Sequence, residues 1–273
     1  MKKQRICIVG DGLSGLMTAL ALNKLESLEV LLISRKNKHS NDRRTTAISA
    51  SNYDFFKLIA EFNDPRIKSF QNDNGGVIAI NRNYGIKKSK GKYILPFDAD
   101  NKLEPSFIED AIKVLEENQQ IGAVYGNRQK FGGSDELVTC GGFKLSKILI
   151  SNYIDACAVI RRSAWKSLGG YDENMPHMGF EDWDFWLRMV NNGWRMDYIP
   201  ELSFYYRIRT NSMISDTNRK WEHLKNYIFR KSELEDYALL RDAVLARREL
   251  TRLSKNKFLV AYKKINRLMG NGK

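Results

Sequence analysis

The alternation of apolar and polar positions divides the chain into three stretches of different character. Arg5–Val9 is a short apolar run. It is followed by the glycine turn Gly10-Asp11-Gly12-Leu13-Ser14-Gly15, an Ala/Leu-rich segment to about Leu25, and a second apolar run at Leu28–Ile33. Strand, helix and strand in that order make a βαβ unit whose turn lies at a helix N-terminus. In the middle, Tyr93-Ile94-Leu95-Pro96-Phe97 reads as an apolar strand ending in Asp98-Ala99-Asp100. Further on, Trp183, Trp186, Leu187 and Val190 recur at i, i+3, i+4 and i+7, so the residues after Glu181 form a helix that buries one face. Between Trp194 and Met269 there is no Gly and, after Pro200, no Pro, which lets long helices run. Within that stretch Phe258, Tyr262, Ile265 and Met269 recur at helical spacing, while Lys263, Lys264 and Arg267 fall elsewhere on the wheel.

At 273 residues the chain makes one large domain, or one domain with an appendage, and buries a core without disulfide or metal staples. Its three cysteines, Cys7, Cys140 and Cys157, are scattered and include no CxxC, which excludes a zinc or disulfide framework and suits a reducing compartment. The net charge of +13 is unevenly placed. Residues 1–57 carry +5, residues 58–218 carry −1 and residues 219–273 carry +9. A balanced middle with basic ends argues against nucleic acid as the partner and fits an anionic membrane surface or anionic partner. The basic tail has two readings: a helix packed on the core with a solvated basic face, or a helix lying on anionic lipid. No apolar run approaches the roughly 20 residues that span a bilayer. The start, Met1-Lys-Lys-Gln-Arg, superficially copies a signal peptide, but Asp11 interrupts the apolar stretch and no small-residue cleavage site follows. The expectation is a cytoplasmic protein, peripheral at the inner face of the membrane where it meets lipid.

Two acidic pairs carry the candidate chemistry. Asp98 and Asp100 stand two apart at a strand end, on one face, where hard carboxylate oxygens suit Mg²⁺ or Mn²⁺ shared with a substrate diphosphate. Exposed acids at a strand end are otherwise simply solvated. Glu181 and Asp182 occupy the first turn of the helix marked by Trp183. They either stabilise its N-terminus through the dipole or point from a rigid element into a cleft. The glycine turn Gly10, Gly12, Gly15 either offers free amides to a pyrophosphate or only lets helix and strand pack closely. Helical spacing assigns Trp183 and Trp186 to the core, and His177 reads as a loop residue.

The N-terminal segment, about residues 1–58, resembles the FAD-binding start of flavin monooxygenases of the ubiquinone-biosynthesis type, through its glycine turn and through Asp42-Arg43-Arg44-Thr45-Thr46-Ala47-Ile48-Ser49. The position where that family carries its ribose-binding acid is Ser34, followed by Arg35 and Lys36, and the family's second flavin motif is missing. FAD is therefore not expected. Residues of about 60–215 resemble family-2 glycosyltransferases of the GT-A fold. The resemblance rests on Asp98-Ala99-Asp100, Ile121-Gly122-Ala123-Val124-Tyr125-Gly126, Ser163–Asp172 with its Gly169-Gly170-Tyr171-Asp172, Gly179–Arg188 and Phe204-Tyr205-Tyr206-Arg207-Ile208-Arg209. It implies a nucleotide-diphospho-sugar donor, a glycan or lipid-linked acceptor, and Mn²⁺ or Mg²⁺ at Asp98 and Asp100. Asp182 would be the general base supported by Glu181, with Arg82, Arg207 and Arg209 on the donor beside Gly10, Gly12 and Gly15. Arg209 stands where the family commonly has His; it cannot ligate a metal but can pair with phosphate.

The fold expected from these pieces is α/β: a GT-A-like, Rossmann-type, mostly parallel sheet flanked by helices, with a C-terminal helical tail. Residues 1–58 would complete the sheet, 59–215 form the transferase core and 216–273 the basic tail. The alternatives are a transferase-like binding protein without turnover, because the usual nucleotide-binding start is replaced, and an FAD- or NAD-binding oxidoreductase fragment.

Overall fold

The computed structural model describes residues 4–9, 28–33, 77–98, 101–208 and 220–255, together with helical backbone at 261, 262, 264, 265 and 267. The glycine turn with Gly10, Gly12 and Gly15, the helix expected after it, Asp100, Arg209, Phe258 and Met269 lie outside the described residues. At the N-terminal end, β1 (Gln4–Val9) and β2 (Leu28–Ile33) pair in parallel, as a βαβ unit requires.

The core follows as α1 (Ile78–Lys88), β3 (Tyr93–Ile94), β4 (Lys102–Leu103), α2 (Pro105–Glu117), β5 (Ile121–Phe131), β6 (Leu137–Val138), α3 (Leu145–Ile148), β7 (Val159–Arg161), α4 (Arg162–Ser167), α5 (Glu181–Asn191) and β8 (Arg195–Arg207). Its sheet runs in the order β3-β7-β5-β8-β4, with β6 also on β5. The sheet is mixed rather than mostly parallel. Within it β5 and β8 run parallel, whereas β3–β7, β5–β7, β4–β8 and β5–β6 are antiparallel. The cause is local: β7 inserts between β3 and β5 from the opposite direction, and β4 and β6 are two-residue edge pieces on strands already in place.

Side chains alternate across this sheet and feed two apolar layers, as a strand period of two demands. Ile94, Ala123, Tyr125 and Ile160 point to the layer shared with α5, whereas Tyr93, Leu95, Val124 and Val159 point to the layer under α2. Helix α2 starts with Pro at its first position, where the missing N–H has no intrahelical partner in any case, and buries Phe107, Ile108, Ala111, Ile112 and Leu115 along one stripe. Buried Arg161 closes that helix: its guanidinium donates to the carbonyls of Leu115, Asn118 and Ile121. A cation at orphan C-terminal carbonyls satisfies both the hydrogen bonds and the dipole.

The C-terminal part is helical, as the breaker-free sequence predicts: α6 (Trp221–Phe229), a 3₁₀ turn (Ser232–Leu234) and α7 (Glu235–Lys255). Its first half packs into the core, with Leu224, Ile228 and Leu234 fully buried. Tyr262 and Ile265 are exposed. Among the described residues no helix is long and apolar enough to cross a membrane.

Candidate functional site

Arg82 organises the site. It projects from α1, is buried, and donates to Glu181 Oε1 at 2.7 Å and to Asp98 Oδ1 at 3.4 Å. One guanidinium thus ties the acidic end of the β3 segment to the first turn of α5, although these residues lie 16 and 99 positions from it in the chain. Burial by itself would discharge the group, but Glu181 and Asp98 together hold its pKa well above the ordinary arginine value.

The placement of Arg82 rests on its neighbour. The Asn83 side chain is completely surrounded by partners: it accepts from the Tyr171 backbone at 2.9 Å and the Trp165 indole at 3.1 Å, and donates to the Tyr171 carbonyl and Glu173 at 2.8 Å. This explains the double glycine before Tyr171. Gly170 has φ +92°, and a Cβ there would come within 2.5 Å of Asn83 Oδ1, so only glycine allows the chain to pass. A cleft of 490 Å³ lies beyond Asn83, lined by Lys87, Tyr171, Asp172, Arg188 and Lys231; Asp98, Glu181 and Asp182 do not line it.

The acid pair is aimed by an unusual turn. Phe180, just before α5, has φ 63°, a left-handed conformation that costs a non-glycine residue roughly 1 kcal/mol or more. Aromatic packing holds it there: the ring meets Trp183 and Trp221 edge-on, at 5.5 and 5.2 Å between centroids, and Trp183 stacks on Trp221 at 5.2 Å. The turn brings the Gly179 amide onto Glu181 Oε2 at 3.0 Å, so Glu181 is occupied by a cation and an amide together. Trp183 and Trp186 are core residues, as their spacing indicates, and their indoles donate to the carbonyls of Ile148 and Ile154.

Asp182 is different. It is partly buried, and its described protein hydrogen bonds are its own helix amide, from Trp183 at 2.8 Å, and Asn152. Burial, then the charge of Glu181, push its carboxyl up to about 7, with Arg82 and Asn152 pulling the other way. A carboxyl that titrates near neutrality is suited to accept a proton at working pH. Asp98 keeps 48% of its side chain exposed, and its one described partner is the long contact to Arg82. Its hard oxygens remain open to a ligand.

Of the remaining sequence candidates, Arg207 ends β8 with its guanidinium 4.5 Å from the centre of the Phe131 ring. Its backbone amide donates to Asn101, whose own amide bonds the Asp98 carbonyl, so the end of β8 is tied to the acidic loop through the backbone. Asp155 is a residue that motif reading passed over. It is partly buried, accepts from the Cys157 amide at 3.0 Å, and has its pKa raised by burial, with the charges of Asp98 and Arg82 both reaching it. The available signal was an acid interrupting the apolar run Tyr153–Ile160. Two buried polar atoms near these groups, Asn152 Oδ1 and the Tyr171 hydroxyl, have no hydrogen-bond partner among the described residues.

This architecture defines a GT-A-like glycosyltransferase fold. The crystal structure of S. aureus TarS 1–349 superposes with a TM-score of 0.63 at 16% identity, covering 93% of this chain and 73% of that one. The same fragment in complex with UDP gives 0.60 at 15% identity, covering 89% of this chain and 71% of that one. Residues 40–169, just under half of the chain, match the family model Glycosyl transferase family 2, and residues 147–211 match the N-terminal domain of galactosyltransferase. An uncharacterized glycosyltransferase of Methanocaldococcus jannaschii is 26% identical over 166 residues, 56% of this chain and 55% of that protein. Chondroitin synthase of Pasteurella multocida is 24% identical over 135 residues, 48% of this chain and 14% of that protein. The chain therefore spans about half or less of the length of these two relatives.

Proposed function

We propose that the chain transfers a sugar from a nucleotide-diphospho-sugar to a hydroxyl of a glycan or lipid-linked acceptor, with inversion at the anomeric carbon. The observation that carries this reading is the Arg82 bridge, which holds Asp98 and the Glu181-Asp182 turn around one point. Asp182 takes the proton of the acceptor hydroxyl as its oxygen bonds to the anomeric carbon, and the bond from that carbon to the diphosphate breaks with its electrons leaving on the diphosphate. Glu181, held by Arg82, stands as a second carboxylate beside Asp182, and its charge helps to raise the carboxyl of the base.

Among the described residues no three His, Cys, Asp or Glu side chains cluster as a metal site. Mg²⁺ and Mn²⁺ keep waters and substrate phosphate in their shell and need only one or two carboxylates from the protein. Asp98 and Asp100 would hold such an ion, whose chemistry would be to neutralise the leaving diphosphate. Arg207 and Arg209 would pair with phosphate, and Gly10, Gly12 and Gly15 would lend amides. The UDP complex of TarS supports a uridine nucleotide as the first donor to try. Residues 1–58 are read as extending the core through the approach of β1 to β3 and α1, although among the described residues β1 and β2 pair as a two-stranded sheet of their own. The basic tail, in this reading, keeps the protein at an anionic surface on the cytoplasmic side, near a lipid-linked acceptor.

The test is a hydrolysis panel of UDP-, GDP- and dTDP-sugars with Mn²⁺, paired with calorimetry of Mn²⁺ and UDP. Turnover of one donor, and nucleotide binding lost in Asp98→Ala with Asp100→Ala, is the expected result. Binding untouched by that double substitution would refute the donor assignment. Binding without turnover across the panel would make the chain a sugar-nucleotide-binding protein.

A further inference from the structure

Helix α7 has two unlike faces. At its start Tyr237 and Ala238 pack on the core and the Arg241 guanidinium lies 5.1 Å from the Phe229 ring centre, while Val244 and Leu245 on the same side are half-buried. From Ala246 to Ser254 every residue is exposed, so the helix runs on past the body of the protein. Its outer face carries Leu239, Ala243, Ala246, Leu250 and Leu253, spaced 4, 3, 4 and 3. Leu239 and Leu250 are each 67% exposed and Leu253 38%.

That spacing is a 3.5-residue repeat, and the stripe is narrow, as in a coiled-coil seam rather than the broader face of a core-packed helix. We propose that Leu239–Leu253 forms a parallel two-stranded seam with the same helix of a second copy of this chain. With the apolar residues at the two seam positions, Asp242 and Glu249 line one flank of the stripe, and Leu240, Arg247 and Ser254 line the other. In a parallel pair each residue of the first flank faces the partner residue five positions on, so Asp242 meets Arg247 and Glu249 meets neutral Ser254. In an antiparallel pair each flank faces its own kind, which would set acids against acids and Arg247 against Arg247. The charges select the parallel arrangement.

The same wheel argues against lipid as the occupant of this stripe. A membrane-bound helix flanks its apolar face with cations. Here the immediate flank on one side is acidic, and Arg241, Arg248 and Arg252 lie roughly 180–220° around the helix from Leu239 at about 100° per residue. Laid on anionic lipid, the stripe would press Asp242 and Glu249 toward the headgroups. Two heptads make a short seam, so the pairing is of micromolar strength. It does not depend on the transferase reading, because none of its residues belongs to the site.

Sedimentation velocity of the full chain, from about 1 to 100 µM to bracket a micromolar constant, is expected to show a reversible monomer–dimer equilibrium. Leu250→Glu with Leu253→Glu should leave a folded monomer with unchanged far-ultraviolet circular dichroism and unchanged UDP binding. Asp242→Arg and Arg247→Asp should each weaken the dimer about tenfold, and the two together should restore it. A wild-type monomer throughout, or a dimer indifferent to the leucine substitutions, overturns the proposal. So does a monomer whose binding to phosphatidylserine vesicles disappears in the leucine variant, which would make the stripe a lipid face. Failure of the double charge swap to restore pairing overturns the parallel register.

Discussion

The first turn of α5 holds two aspartates that meet opposite fates. Asp184 is completely buried and is gripped by Arg188 Nε at 2.8 Å and by Lys231, which also bridges to Asp172 at 2.7 Å. Tyr227 joins the same Asp172 at 2.8 Å, so this cluster fastens the C-terminal segment to the core. Asp182, two residues earlier, has no cation of its own among the described residues; Arg82 pairs instead with Glu181. Identical side chains on one helix are thus a fully compensated buried charge in one case and an under-compensated one in the other. Compensation makes a fastener, and its absence leaves a carboxyl that titrates near neutrality.

Substitutions at the two positions should separate these roles. The largest effect is expected from Asp182→Asn, which should cut turnover about 10²- to 10⁴-fold, the range of a lost general base, while UDP binding measured by calorimetry persists. Lys231→Met should do the reverse. Leaving Asp172 and Asp184 short of a cation should cost about 3 kcal/mol of unfolding free energy in urea titration, with turnover per folded molecule largely retained. Equal loss of turnover in both variants would erase the distinction.

A subtler effect concerns the stability cost of the site. Because the folded Asp182 carboxyl titrates at about 7, above its unfolded value, the folded state binds the proton more tightly, and its contribution to stability is lost as pH rises toward 7. Asp182→Asn should therefore be more stable than the native protein at pH 8, by up to about 4 kcal/mol, and the gain should fade toward pH 4. The smallest effect is at Asp155, whose charge helps raise Asp182. In the native protein, on the transferase reading proposed above, kcat/KM should rise with pH and level off above about 7. In Asp155→Asn that limb should move to lower pH. A limb that stays in place would detach Asp155 from the site.

How much of this was legible in the residues varies with the distance over which each feature is decided. The helix at Trp183 was readable because its pattern is local, and the core positions of Trp183 and Trp186 followed from spacing; the strand expected over Tyr93–Phe97 is cut to Tyr93–Ile94, where its pairing with β7 ends. The mixed sheet was not readable, because β7 finds its place between β3 and β5 through partners far along the chain. The glycines at 169 and 170 were readable as part of a family-like run, but the reason for Gly170, the approach of Asn83, required coordinates. Asp155 carried only the weak signal of an acid in an apolar stretch, since what matters about it is proximity.

The sequence alone determined the helix after Glu181 with its acid pair in the first turn, and the helical, basic tail, because each depends on neighbours a few residues away. The tertiary structure alone decided which acid is neutralised and which is left poised. Arg82, Arg188 and Lys231 come from separate elements, and the charge state of a half-buried carboxyl is set by the nearest cation in space and the water it has lost.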